Sequence, residues 1–134
     1  MRFDVTLLSC VPDSLADRLR ATGLTASDKL IVAVANPEKR RTIAQQSGID
    51  EGILVRLARR AELTHVHGIG PFFVNLLQHV GVASLSELAA CPPDVLYARF
   101  VETRDASIVW RLPSLQETKS WVAQARQMEE LLVD

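Results

Sequence analysis

Residues 63–82 read LTHVHGIGPFFVNLLQHVGV, and this stretch decides the fold. Gly68 and Gly70 bracket one aliphatic residue, Ile69. Leu63 and Val66 precede them; Phe73, Leu76, Leu77 and Val80 follow at helical spacing. Glycine admits positive φ and lets a backbone come close to a partner. Pro71 suits the first position of a helix, where its missing N–H costs nothing. Gly81-Val82 closes the segment. The stretch predicts two short helices joined by a tight glycine turn. Unbonded amides at the start of the second helix, reinforced by its dipole, make the turn a candidate anion site.

The pattern occurs twice. Moving Val66–Leu88 back by 58 positions sets Val66 on Leu8, Ile69 on Val11, Phe73 on Leu15, Leu77 on Leu19, Gly81 on Gly23, Val82 on Leu24 and Leu88 on Leu30. Cys10 and Pro12 replace the two turn glycines. The first copy is therefore expected to keep the helical pairing and lose the close backbone approach. The expected fold is all-α, with pseudo-repeated halves over roughly residues 5–62 and 63–132 packed as one compact domain over residues 1–134.

Capping signals place the other helices. Asp13 and Ser14 start one from about Leu15 to Thr22, and Gly23 ends it. Thr25 and Asp28 stand at capping-box spacing before Leu30–Val34. Asn36-Pro37 opens a helix that Gly48 closes. Its Lys39-Arg40-Arg41 run reads as a solvated face. Asp50 caps a helix from Glu51 to about Leu63, with Ile53, Leu54, Leu57, Ala58 and Ala61 as its buried stripe. Arg56, Arg59 and Arg60 lie off that stripe. Ser84 and Glu87 cap Leu85–Ala90, and Pro93-Asp94 starts a helix that fades near Arg104. An apolar run follows around Trp110. Ser114 and Glu117 open a last helix, expected from Leu115 to about Leu132. Trp110 and Trp121 read as core anchors.

Composition narrows the function. The 134 residues are 48% hydrophobic, with a formal net charge of -1, so the whole chain is no magnet for nucleic acid. The charge is uneven: residues 36–70 hold six basic and four acidic side chains, whereas residues 71–134 hold five and eight. A phosphate-binding face would lie near the middle. Cys10 and Cys91 form no paired motif and read as buried, reduced thiols. The start, MRFDVTLLSCV, does not match a signal peptide, and no apolar run approaches the roughly 20 residues of a membrane helix. A cytoplasmic location is expected.

The blocks SGIDEGILVRLARRAELTHVHGIGPFFVNLLQHVGVASLSELA, PPDVLYARFVE and RLPSLQETKSWVAQA, in that order, resemble domain of unknown function 4332, a bacterial family with a tandem helix-hairpin-helix fold. The resemblance covers roughly residues 8–130 and implies an all-helical fold of two related halves. In DNA-binding members of the wider helix-hairpin-helix superfamily, the hairpin backbone grips phosphates without reading bases. A basic residue often follows the second glycine there. Here Pro71-Phe72-Phe73-Val74 follows instead.

These readings give two expectations. The leading one is a non-enzymatic module contacting nucleic-acid backbone without sequence preference, through Val66, His67, Gly68, Ile69 and Gly70, with Arg56, Arg59 and Arg60 supplying the field. The alternative is a protein-interaction adaptor using the hairpin and the surface of Phe72 and Phe73. His65 and His67 lack a third ligand, so no metal site is expected. No cofactor is expected, and no catalytic constellation stands out: the nucleophile-elbow, phosphate-loop and zincin patterns are missing.

Overall fold

The computed structural model describes residues 2–103 and 111–132. Among them are eight α-helices and no strand: α1 Asp13–Ala21, α2 Ser27–Ala33, α3 Pro37–Ser47, α4 Glu51–Glu62, α5 Pro71–His79, α6 Leu85–Ala90, α7 Pro93–Glu102 and α8 Leu115–Gln127. Short 3-10 turns at Val5–Leu7 and Leu63–His65 precede α1 and α5. The all-α expectation holds. Trp110 lies outside the described residues.

The hub is α4. Its spacing of Leu54, Leu57, Ala58 and Ala61 gives one continuous buried stripe. It packs against α2 and α3 on one side and against α5 and α6 on the other. In the second half α8 lies across α6 and α7. Trp121 on α8 is 1% exposed, 5.0 Å from the Phe73 ring and 6.3 Å from the Phe100 ring. Burying such an aromatic cluster is the largest apolar contribution a single contact set makes in a small domain.

The 58-residue offset relates two pairs of elements. It maps the 3-10 turn Val5–Leu7 onto Leu63–His65 and α1 onto α5, end to end. Gly23 and Gly81, an offset apart, both take positive φ, at 71° and 90°. The amides of Leu24 and Val82 bond back to Leu19 and Leu77 at 2.9 and 2.8 Å. Cys10 takes φ 65° where Gly68 takes 98°. The first turn thus has the left-handed residue of the second without its glycine.

Four local expectations are corrected. Thr25 and Asp28 form no capping box, because residues 3–5 and 25–27 pair with each other instead: the Val5 amide donates to Thr25 O at 2.8 Å and the Ser27 amide to Phe3 O at 2.8 Å. That leaves Ala26 at the N-cap of α2. Arg40 is buried, not solvated, and its Nε donates to Val34 O at 2.7 Å. Cys10 is exposed. The last helix stops at Gln127, five residues early, because residues 130–131 are held by other elements. The full capping box at Ser114 and Glu117 does form. Within it Arg111 holds Glu117 near pKa 2 through its hydrogen bond, far below the usual carboxylate range.

Candidate functional site

The glycine turn has two unlike glycines. Gly68 is left-handed at φ 98°, whereas Gly70 is extended at φ -105°, ψ -175°. A Cβ on Gly68 would stand 3.0 Å from Trp121 Nε1. The close approach that Gly68 permits is therefore to the tryptophan of α8. Trp121 is wedged between Phe73 and Phe100 and has no room to retreat. Gly68→Ala is expected to cost about 2 kcal/mol, from the left-handed backbone plus the clash, while Gly81→Ala, left-handed with nothing within 4 Å of an added Cβ, is expected to cost about 1 kcal/mol. Urea midpoints at unchanged slope separate the two.

Most amides of the turn are committed inside the fold. Val66 N–H donates to Leu63 O and Ile69 N–H to Val66 O, both at 3.1 Å. His67 N–H donates to Gln124 Oε1 at 2.8 Å, and Gln124 Nε2 returns a bond to His67 O at 3.2 Å. Gln124 thus clasps the turn from α8. Val66 and Ile69 are buried, His67 and Gly68 exposed. Phe72 is half-buried and edge-on to Phe73 at 5.3 Å. Phe73 is buried under Arg111, which lies 4.9 Å from its ring centre, so Phe73 offers no free surface as the adaptor expectation required. Among the described residues no three metal-ligating side chains gather.

The arginines do not join the turn. Arg56, Arg59 and Arg60 line a groove of about 820 Å³ whose other walls are Cys10, Pro12, Leu15, Arg18, Ile49 and Ile53, and which continues to Ser86 and Glu130. They sit beside the first turn, not the glycine one. Arg60 is bonded to Ser9 in that turn, and Leu15 and Arg18 of α1 line the same groove.

Each arginine has a different station. Arg60 is 5% exposed, correcting its place off the buried stripe. It donates to Ser9 O at 2.6 Å, Ser9 Oγ at 2.9 Å and Asn75 Oδ1 at 3.2 Å. The same Asn75 Oδ1 accepts the Ser9 amide at 2.7 Å. Arg60 therefore rivets the first turn to α5. Arg59 is ion-paired with Glu130. Arg56 is exposed on the rim. Ile53, expected in the core, is 37% exposed at the same rim.

The carboxylates of Glu62 and Glu130 anchor the segment after α8. Glu62 is 1% exposed and accepts the Leu131 amide at 2.8 Å. Glu130 accepts the Ser86 amide at 2.9 Å and Ser86 Oγ at 2.6 Å. Burial pushes the Glu62 carboxyl up, the Leu131 amide opposes this, and the nearby Glu130 charge adds to it. Glu130 is held low despite its burial, by Ser86 and by the charge of Arg59. A carboxyl raised in the fold stabilises the fold as it protonates. Stability is therefore gained as pH falls through the raised value of Glu62, and the gain is complete below 4.5, its ordinary value. Between about pH 8 and about pH 5 the urea midpoint of wild type is expected to rise relative to that of Glu62→Gln. The paired comparison isolates this carboxyl from His65, whose pKa is pushed down by desolvation and which acts in the opposite sense.

Sequence reasoning missed Gln124, Arg18 and Glu130. Arg18 stands on an exposed helix face and Gln124 on a half-buried one, and the partners that give them their stations, Gly48 and His67, are 30 and 57 positions away. Glu130 carries no local signal either, because its partners, Arg59 and Ser86, are 71 and 44 positions away.

No helix among the described residues is long and apolar enough to cross a membrane. Neither the curated proteins nor the solved structures gave a match. A family model does match, spanning residues 10–128, and its description is "Domain of unknown function (DUF4332)". The hit covers the glycine turn, the hub helix and all of α8, and the chain belongs to the DUF4332 family.

Proposed function

We propose that this protein is a non-enzymatic docking module for another protein, built from two helix-hairpin-helix halves. The observation that supports this over a phosphate grip is the state of the glycine turn. Val66, His67 and Ile69 have each given their amide to a partner within the chain. A hairpin that holds phosphate needs several such donors pointing outward. None of residues 66–70 lines the groove that holds Arg56, Arg59 and Arg60, so the turn does not share its positive lining. The groove on the other side of α4 combines arginines with apolar side chains, a composition suited to protein surfaces.

A nucleic-acid backbone reading keeps one specific support. Gly68 is exposed and Gly70 half-buried, no bond is recorded for either amide among the described residues, and exposed His67 stands next to them. One or two contacts of that kind give binding weaker than about 100 µM at physiological salt. Titrating labelled duplex DNA at low and at physiological salt decides between the readings. The docking reading expects negligible binding at physiological salt and no change on His67→Ala. Micromolar, steeply salt-dependent binding that His67→Ala weakens would return the function to nucleic acid.

A further inference from the structure

The groove flanking α4 carries charge that the fold leaves unbalanced. Its three carboxylates are occupied locally. Asp50 accepts the Ile53 amide, Glu87 accepts the Ala83 amide and Ser84 Oγ, and Glu130 is paired with Arg59. Arg18 on α1 and Arg56 on α4 are both exposed at the groove, and among the described residues neither forms an ion pair with a carboxylate. Arg18 spends one N–H on Gly48 O at 2.8 Å and keeps the rest of its fork. Beneath them Arg60 is buried with its Nε unbonded, and burial lowers its pKa, the mark of a cation short of compensation. The same groove has an apolar strip in its lining, made by Leu15, Ile49, Ile53 and Leu57.

We propose that this groove docks a segment of a partner protein in which carboxylate side chains flank an apolar one. The inference rests on the protein-docking reading and adds the place and the chemistry. Guanidinium forks bind carboxylates in two-point fashion, which fixes register as well as adding affinity. The apolar strip removes the middle of the segment from water. The volume, about 820 Å³, is that of a site enclosing a few side chains. A nucleic-acid strand fits less well. Its evenly spaced phosphates would meet Asp50 and Glu87 as well as the arginines, whereas a peptide can set its carboxylates opposite Arg18 and Arg56 alone.

The test is fluorescence anisotropy on the full chain with three labelled probes: a short Glu–Leu peptide, its Gln–Leu counterpart and an oligothymidylate. The Glu–Leu peptide is expected to bind, with the Gln–Leu peptide at least about tenfold weaker. Arg56→Glu and Arg18→Glu should each weaken the acidic peptide about tenfold. Arg41→Glu, an exposed charge on α3 outside the groove, should leave it unchanged. Circular dichroism confirms that each variant is folded. Equal affinity for the two peptides, equal loss with Arg41→Glu, or no peptide binding would each overturn the assignment of the groove. If the duplex titration meanwhile shows negligible binding, the docking reading itself survives on another face. Oligothymidylate binding that Arg56→Glu abolishes would give the groove to nucleic acid and end both.

Discussion

Replacing Trp121 by alanine is expected to lower the unfolding free energy by about 4 kcal/mol, the largest effect of any single change proposed for this chain. Three losses combine at that position. The indole is 1% exposed, so nearly its whole surface returns to a cavity or to water. Its contacts with Phe73 and Phe100 tie α5 and α7 to α8. Its Nε1 edge backs Gly68, so the turn loses its floor as well. The void cannot close cheaply, because three helices and the turn meet there. Chemical denaturation with far-UV circular dichroism measures the loss. A second signature should accompany it: with the floor gone, the clasp between His67 and Gln124 loosens and the His67 amide exchanges faster. If the unfolding free energy falls by less than about 1 kcal/mol, the aromatic cluster is not the support described.

Arg60→Ala is expected to cost about 3 kcal/mol, whereas Arg56→Ala, four residues away on the exposed rim, should fall within about 0.5 kcal/mol of wild type. Arg60 makes three hydrogen bonds that join the first turn to α5. Truncation leaves Ser9 O without its donor inside the fold. Removing a desolvated charge offsets part of this loss, which keeps the figure below that of a broken buried ion pair. Arg60→Lys should rescue little, because one ammonium cannot span Ser9 and Asn75 as the planar fork does. Asn75→Ala removes the other end of the same network. The double variant should therefore cost less than the sum of the two singles, and a double-mutant cycle measures the coupling.

The fold was legible from signals that act over a few residues. Asn36, Asp50, Ser84 and Ser114 each cap the helix they were expected to cap, because a side chain reaching the third amide onward needs no tertiary partner. Pro37, Pro71 and Pro93 each stand at a helix start. The site was less legible, for reasons that residues make plain. Helical periodicity cannot distinguish Arg60 from Arg56: both are guanidinia on one helix, and only the position of Ser9 and Asn75 buries the first. Spacing likewise makes Gly68 and Gly70 look alike. Their difference comes from Trp121, more than fifty residues on, and from a φ that composition does not reveal. The early end of α8 came from partners on α4 and α6 competing for residues that local propensity would have left helical.

The tether formed by Glu130 and Leu131 bears on the order in which the chain matures. Its partners Arg59 and Glu62 are 71 and 69 positions earlier. During synthesis these two side chains leave the ribosome long before the groups that satisfy them. Until residue 131 emerges, the Glu62 carboxylate lacks the Leu131 amide and the Arg59 guanidinium lacks the Glu130 carboxylate. The contacts of the early half can therefore form before the strap that fastens α4 to residues 130–131 is in place.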